Sequence, residues 1–235
     1  MKGTLNMSKH HIEKITCPNC KTESEFVLWD SINTQLDPEM KEKVRTGEVF
    51  AFECPNCKQQ LNVDYATLYH QMEDYVMIYY APGDPAGAVE VMKKLTTLEG
   101  DENKDSGLKL PDDYVKRVVA TQNELREKLN ILDEGLDDHV IELMKLFMMS
   151  NLQSDDPDMK IEEFLFDVDR DGKRFFAVHL AGGKWGNTDF HQNMYDIIAE
   201  KSSDEFKNDD ALVVDLNWAL GFIRKDENRR KGDEK

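Results

Sequence analysis

The chain has 235 residues, 40% of them hydrophobic and 33% charged, with a formal charge of −17 at pH 7. That length supports one large domain or two small ones, and the balance is that of a globular chain rather than a fibrous or low-complexity one. Acids outnumber bases in every third of the sequence, which argues against a surface made to grip phosphate backbones, and no run of about 18 apolar residues offers a membrane span. Met1 to Lys14 lacks the apolar core of a signal peptide, so the expected compartment is the cytoplasm.

The first elements in chain order carry all four cysteines. Cys17-Pro18-Asn19-Cys20 returns letter for letter as Cys54-Pro55-Asn56-Cys57. Two thiolates two residues apart can share one cation from a tight turn, and a second such turn completes a tetrahedron with no position open to substrate. One structural zinc ion on Cys17, Cys20, Cys54 and Cys57 is therefore expected. A redox dithiol and a static disulfide are the alternatives. The redox use of this motif opens a helix, whereas Glu23 to Trp29 and Gln59 to Tyr65 read as strands, the second alternating polar with apolar residues. With Ile12, Ile15 and Val49 to Phe52 as incoming strands, each turn joins a β-hairpin. Between the pairs, Asp37 to Gly47 predicts a short helix, with Asp37 capping, Pro38 at the first helical position and Gly47 ending it. Zinc binding is worth about 10–16 kcal/mol in small finger peptides, more than so small a core adds alone, so metal removal is expected to unfold this module.

Tyr65 to Tyr75 reads as a helical or turn segment and Val76 to Tyr80 as a buried strand, closed by Ala81-Pro82-Gly83-Asp84. The zinc-bearing domain is thus expected over residues 1–84. An α+β domain is expected over 85–223, opening with a helix from Pro85 to Leu98 and an acidic linker near 99–113. Thr121 to Glu124 is a capping box that starts a helix carrying Leu125, Leu129 and Leu132, and Gly135 stops it. Asp137 or Asp138 then caps a second helix. Its Val140, Leu143, Met144, Phe147 and Met148 follow the i, i+3, i+4 rhythm, and Ile141, Leu146 and Met149 fill much of the remaining circumference, so it is expected to be buried. Phe164 to Asp169 and Arg174 to Leu180 predict a hairpin around Asp171-Gly172. A helix at Phe190 to Lys201, an apolar segment at Leu212 to Ile223 and a charged, disordered tail at 224–235 complete the reading. The fold class is α+β, a zinc-ribbon-like β-hairpin module followed by a mixed helical and antiparallel β domain.

The weaker constellations point to ordinary structure. Asp167 to Gly172 imitates the start of a calcium loop, but Val178 stands where a bidentate glutamate is needed. Asp137-Asp138-His139 reads as helix capping, His70 as a packed or surface histidine, and Ala181 to Asn187 as a glycine-rich strand-to-helix connection. Trp185 among those glycines, with His179 and His191 nearby in sequence, makes Gly182 to His191 the first place to look for an enzyme pocket. Lys9, His10, His11, Lys14 and Lys21 form the one local basic patch. With Lys58, they would carry the alternative of a nucleic-acid-binding ribbon.

The N-terminal part resembles the CpXC domain family of bacterial and archaeal proteins, named for two Cys-Pro-x-Cys motifs. Beyond the cysteines, the likeness rests on Trp29 to Asn33, Leu36 to Glu39, Val63 to Tyr65, Leu68 to Met72 and Met77 to Tyr79. It covers about residues 13–82, and Asn123 to Met148 is similar to the helical region that often follows. The resemblance implies that Cys17, Cys20, Cys54 and Cys57 act together as metal ligands, and it implies no reaction. Many such knuckles place glycine after the second cysteine, where φ is positive; here Lys21 and Lys58 stand instead. A binding or regulatory module is the leading expectation rather than an enzyme. Its expected partner is a protein or a second copy of the chain, with nucleic acid and membrane disfavoured.

Overall fold

Strand-forming segments dominate the first half of the chain, and helices around a hairpin dominate the second. The computed structural model, which describes residues 8–97 and 114–233, gathers them into two units divided between Arg126 and Glu127. The expected α+β class holds.

In the first unit, β1 (Lys9–Thr16) and β2 (Glu23–Asn33) form a long antiparallel ribbon joined by the first cysteine turn. A short helix α1 (Glu39–Arg45) follows, with Pro38 in the capping position. Asp37, expected to cap it, instead supplies a backbone carbonyl to the Met40 N–H. Gly47 ends this segment at φ 77, a conformation that glycine adopts without a Cβ clash. β3 (Ala51–Glu53) and β4 (Gln60–Asn62) then pair across the second cysteine turn as a two-stranded ribbon.

The segment expected to be helical or turn after Tyr65 is largely β5 (Thr67–Gln71), and only Met72–Asp74 forms a 3-10 turn. All five residues of β5 are buried, so side chains on both faces are covered, and in the sheet it lies between β2 and β6 (Val76–Tyr80). A strand covered on both faces has no alternation to read. After α2 (Pro85–Thr97), β7 (Val115–Val119) pairs parallel to β6 and completes a sheet of order β1-β2-β5-β6-β7. β7 was not expected. It extends the first unit's sheet past residue 84, where the sequence placed a domain boundary. The linker expected near 99–113 lies outside the described residues.

The unit division falls within α3 (Gln122–Asp133). The capping box that starts this helix forms as expected, with the Thr121 hydroxyl accepting the Glu124 N–H at 3.1 Å and the Glu124 carboxylate accepting the Thr121 N–H at 3.1 Å. α4 (Asp138–Asp155) is capped by Asp137, which accepts the His139 N–H. The second unit adds an antiparallel sheet of β8 (Ile161–Val168), β9 (Arg174–Leu180) and β10 (Lys184–Asp189), ordered β10-β9-β8. Two helices follow, α5 (Gln192–Phe206) and α6 (Leu216–Asp233). Ile141, Met144 and Met148 of α4 belong to one core with Phe164, Phe166, Phe176, Phe206 and Ala219.

Two expectations need correction here. Gly182 and Gly183, at φ 91 and 77, make a tight turn into β10 rather than a strand-to-helix connection. α6 continues through Asp233, so the segment from Arg224 is helical instead of a disordered tail. Its Arg, Lys and Glu residues are good helix formers, and they prolong a helix already anchored by Trp218, Phe222 and Ile223.

Every residue of α4 from Asp138 to Lys145 is buried, including three charged side chains on one helical stripe. Asp138 and Glu142 each meet Lys128 of α3, at 3.1 and 3.0 Å, and Lys145 meets Glu127 and Glu142. Lys128 also donates to the Val214 carbonyl at 2.6 Å, and Glu127 accepts the Phe166 N–H at 2.6 Å. The network therefore ties α3 and α4 to β8 and to the segment before α6. Burial pushes the Glu127 carboxyl up, against the pull of Lys145. For Lys145 burial pulls down, but Glu127 and Glu142 outweigh it and the ammonium is raised.

Candidate metal centre

Each cysteine turn is a short loop between two strands, closed by the same two backbone bonds. The Cys17 N–H donates to the Thr22 carbonyl at 2.9 Å and the Lys21 N–H to the Cys17 carbonyl at 3.0 Å; Cys54, Gln59 and Lys58 repeat this at 2.9 and 3.0 Å. Closing the loop puts the residue after the second cysteine in the left-handed region, and Lys21 and Lys58 both sit at φ 60. The Lys21 ammonium donates to the Pro18 carbonyl at 2.9 Å, and Lys58 pairs with Glu53 at 3.3 Å.

The two turns face one another, so the sulfurs meet across them. Cys17 Sγ lies 3.6 Å from Cys57 Sγ, Cys20 Sγ lies 3.6 Å from Cys54 Sγ, and the ligand atoms of all four lie within 4.8 Å of one another. Four sulfurs about 2.3 Å from one tetrahedral ion would stand about 3.8 Å apart, so the cluster fits that geometry. All four cysteines are free thiols, and neither turn opens a helix, which removes the support for the disulfide and the helix-opening redox alternatives. Cys17 and Cys54 are wholly buried against Phe52, with Ile15, Phe26 and Leu61 packed around them. Cys20 and Cys57 are partly exposed.

Hydrogen bonds and burial set Cys20 and Cys57 apart from Cys54. The Cys20 thiol is held near about 5, first by the Thr22 hydroxyl, then by the Thr22 amide and the Asn56 side chain. Cys57 is lowered by the Gln59 backbone and the Asn19 amide. For Cys54 the Cys57 backbone bond pulls downward, but burial and the sulfurs of Cys20 and Cys17 outweigh it and push the thiol to about 11. A divalent cation held at the centre would remove that imbalance by binding all four as thiolates.

The other candidate residues are arranged less favourably for chemistry. His179 and Trp185 are cross-strand neighbours, stacked with ring centroids 4.5 Å apart, and Trp185 is 54% exposed. His191 precedes α5, beyond the opposite end of β10, so the three do not form one pocket. Asp137 is a helix cap, Asp138 is bound to Lys128, and the His139 ring stacks on Phe206, although these three side chains do approach one another. Asp169 accepts the N–H groups of Asp171 and Lys173, ordinary turn closure where a calcium loop was imitated. The basic patch is interleaved with acids: Lys9 and His11 meet Asp30, and Lys14 stands opposite Glu25. His70 is buried and bonded to the Tyr114 hydroxyl.

Asn19, Asn56 and Thr22 escaped the sequence reading as neighbours of the cluster. The signal was present, since both motifs carry asparagine in the third position, but its direction needs the facing of the turns. No helix among the described residues is long and apolar enough to cross a membrane. No curated protein matches the sequence, and no solved structure does. A family model described as CpXC protein matches residues 15–145, which takes in both cysteine turns, four strands of the five-stranded sheet and the end of β1, α3 and the charged stripe of α4. With a four-cysteine cluster able to hold a metal and a family match over more than half its length, this chain belongs to the CpXC family.

Proposed function

We propose that Cys17, Cys20, Cys54 and Cys57 hold one structural zinc ion, and that the chain is a cytoplasmic, zinc-stabilised protein-interaction module. The observation that carries this is the cluster of four sulfurs, all within 4.8 Å of one another; four thiolates on one ion would leave no position for substrate. Zinc is the natural occupant of such a site: thiolates favour soft or borderline ions, and four of them in a tetrahedral array suit zinc above the harder divalent cations. A protein partner is favoured over nucleic acid by the overall charge and by the acids set beside Lys9, His11, Lys14 and Lys58. The test is affinity capture from native cells with the zinc-loaded chain and a Cys17→Ser/Cys54→Ser variant. A specific protein retained by the first and lost by the second is expected. Turnover of a metabolite by the pure protein, with no specific protein captured, contradicts the proposal.

A further inference from the structure

We propose that Asn19 and Asn56 are crossed guards of the metal centre, each reaching from its own turn toward the second cysteine of the other, Asn19 directly and Asn56 through the Thr22 hydroxyl, and slowing loss of the ion through that sulfur. This rests on the zinc reading and concerns how firmly the ion is held. Cys17 and Cys54 are buried, whereas Cys20 and Cys57 are only partly so. The asparagine amides are turned toward those two. Asn19 Nδ2 donates to Cys57 Sγ at 3.5 Å. The Asn56 side chain donates to the Thr22 hydroxyl at 3.2 Å, which itself lies 3.3 Å from Cys20 Sγ.

An asparagine that only shapes a turn needs its own backbone. These side chains instead span 38 and 34 residues of sequence to join opposite turns. An N–H donated to a thiolate draws charge from the sulfur, which lowers its reactivity toward protons, chelators and electrophiles. Each amide also holds its sulfur's orientation toward the centre. The repetition of asparagine in both motifs thus yields a reciprocal brace: neither turn protects its own exposed cysteine, and each protects the other's. Asn19 and Asn56 act through the ligands, so they are positioning residues.

The experiment uses the full zinc-loaded chain with Asn19→Ala, Asn56→Ala and the double variant. Zinc content is measured, then the rate of zinc transfer to a chromophoric chelator, and then iodoacetamide alkylation at each cysteine by mass spectrometry. Each single variant is expected to keep one zinc per chain and to release it on the order of tenfold faster, in line with the effect of removing an outer-shell partner. Alkylation is expected to rise at Cys57 in Asn19→Ala and at Cys20 in Asn56→Ala. Unchanged release rates, or a rise at the cysteine of the mutated turn itself, overturn the crossed brace. Should an alanine variant fail to load, Asn19→Ser and Asn56→Ser keep a turn-forming residue too short to reach across, and the same outcomes apply to them. A wild-type chain that carries no metal removes the zinc reading itself, whereas a loaded wild type whose variants behave identically removes only the brace.

Discussion

Lys21 and Lys58 hold a left-handed conformation that favours glycine, each at φ 60. The knuckle backbone imposes it, because the N–H of each lysine must reach the carbonyl of the first cysteine. For a residue with a Cβ this costs about 1 kcal/mol. Lys58→Gly is therefore expected to raise the stability of the metal-loaded protein by up to about 1 kcal/mol, since the exposed pair with Glu53 that it removes contributes little. Denaturant unfolding checks this, and a loss of stability would show that the lysine side chain matters more than the strain. The cysteines and their spacing were legible from the sequence alone. The amides of Asn19 and Asn56 were not, because a residue's reach across to another turn is set by the facing of two hairpins, which no local pattern records.

At the scale of elements, α4 shows how a correct expectation can be incomplete. Its apolar rhythm announced burial, and Val140, Ile141, Leu143, Met144 and Met148 are indeed buried, whereas Phe147 of the same rhythm is exposed and Leu146 and Met149 are partly buried. The same helix also buries Asp138, Glu142 and Lys145, a stripe that left no signal in the sequence because the partners Glu127 and Lys128 lie on a different helix. Removing one partner from such a network leaves an uncompensated charge, so Lys145→Met is expected to destabilise the second unit by about 3–5 kcal/mol, read from denaturant unfolding. A loss below about 1 kcal/mol would contradict the network's role.

The network also implies a pH trend. Three carboxylates face two ammonium groups, and the Glu127 carboxyl is raised above its ordinary value of 4.5 by burial. The folded state therefore binds this proton more tightly than the unfolded state. That contribution is fully present below the ordinary value and is lost as the pH rises through the folded value. The stability of Glu127→Gln relative to wild type is accordingly expected to improve as the pH rises above the ordinary carboxyl value of 4.5. A flat or opposite difference would count against it. β5 and β10 were missed for opposite reasons: β5 is buried on both faces and shows no alternation, whereas β10 is an exposed edge strand with two glycines just before it and no apolar face to betray it.

For the molecule as a whole, the sequence fell short in predicting where one unit ends, because β7 extends the first sheet well past Asp84. The cysteine ribbons and the second unit draw on different sources of stability. The second has a large apolar core of phenylalanines, methionines and aliphatic residues. Around the cysteines, by contrast, only a small cluster centred on Phe52 surrounds the sulfurs. Chelation of the metal is therefore expected to melt the cysteine ribbons while the second unit keeps its cooperative transition, followed by hydrogen exchange at β3, β4 and α4. Uniform loss of protection, or none, would contradict that division. The most direct test is elemental analysis of freshly isolated, reduced protein, together with the same measurement on a Cys54→Ser/Cys57→Ser variant. One zinc per wild-type chain, with tight binding lost in the variant, is predicted. A wild-type chain without metal, or a variant whose remaining pair Cys17 and Cys20 holds its ion undisturbed, would contradict a single ion gripped by both turns.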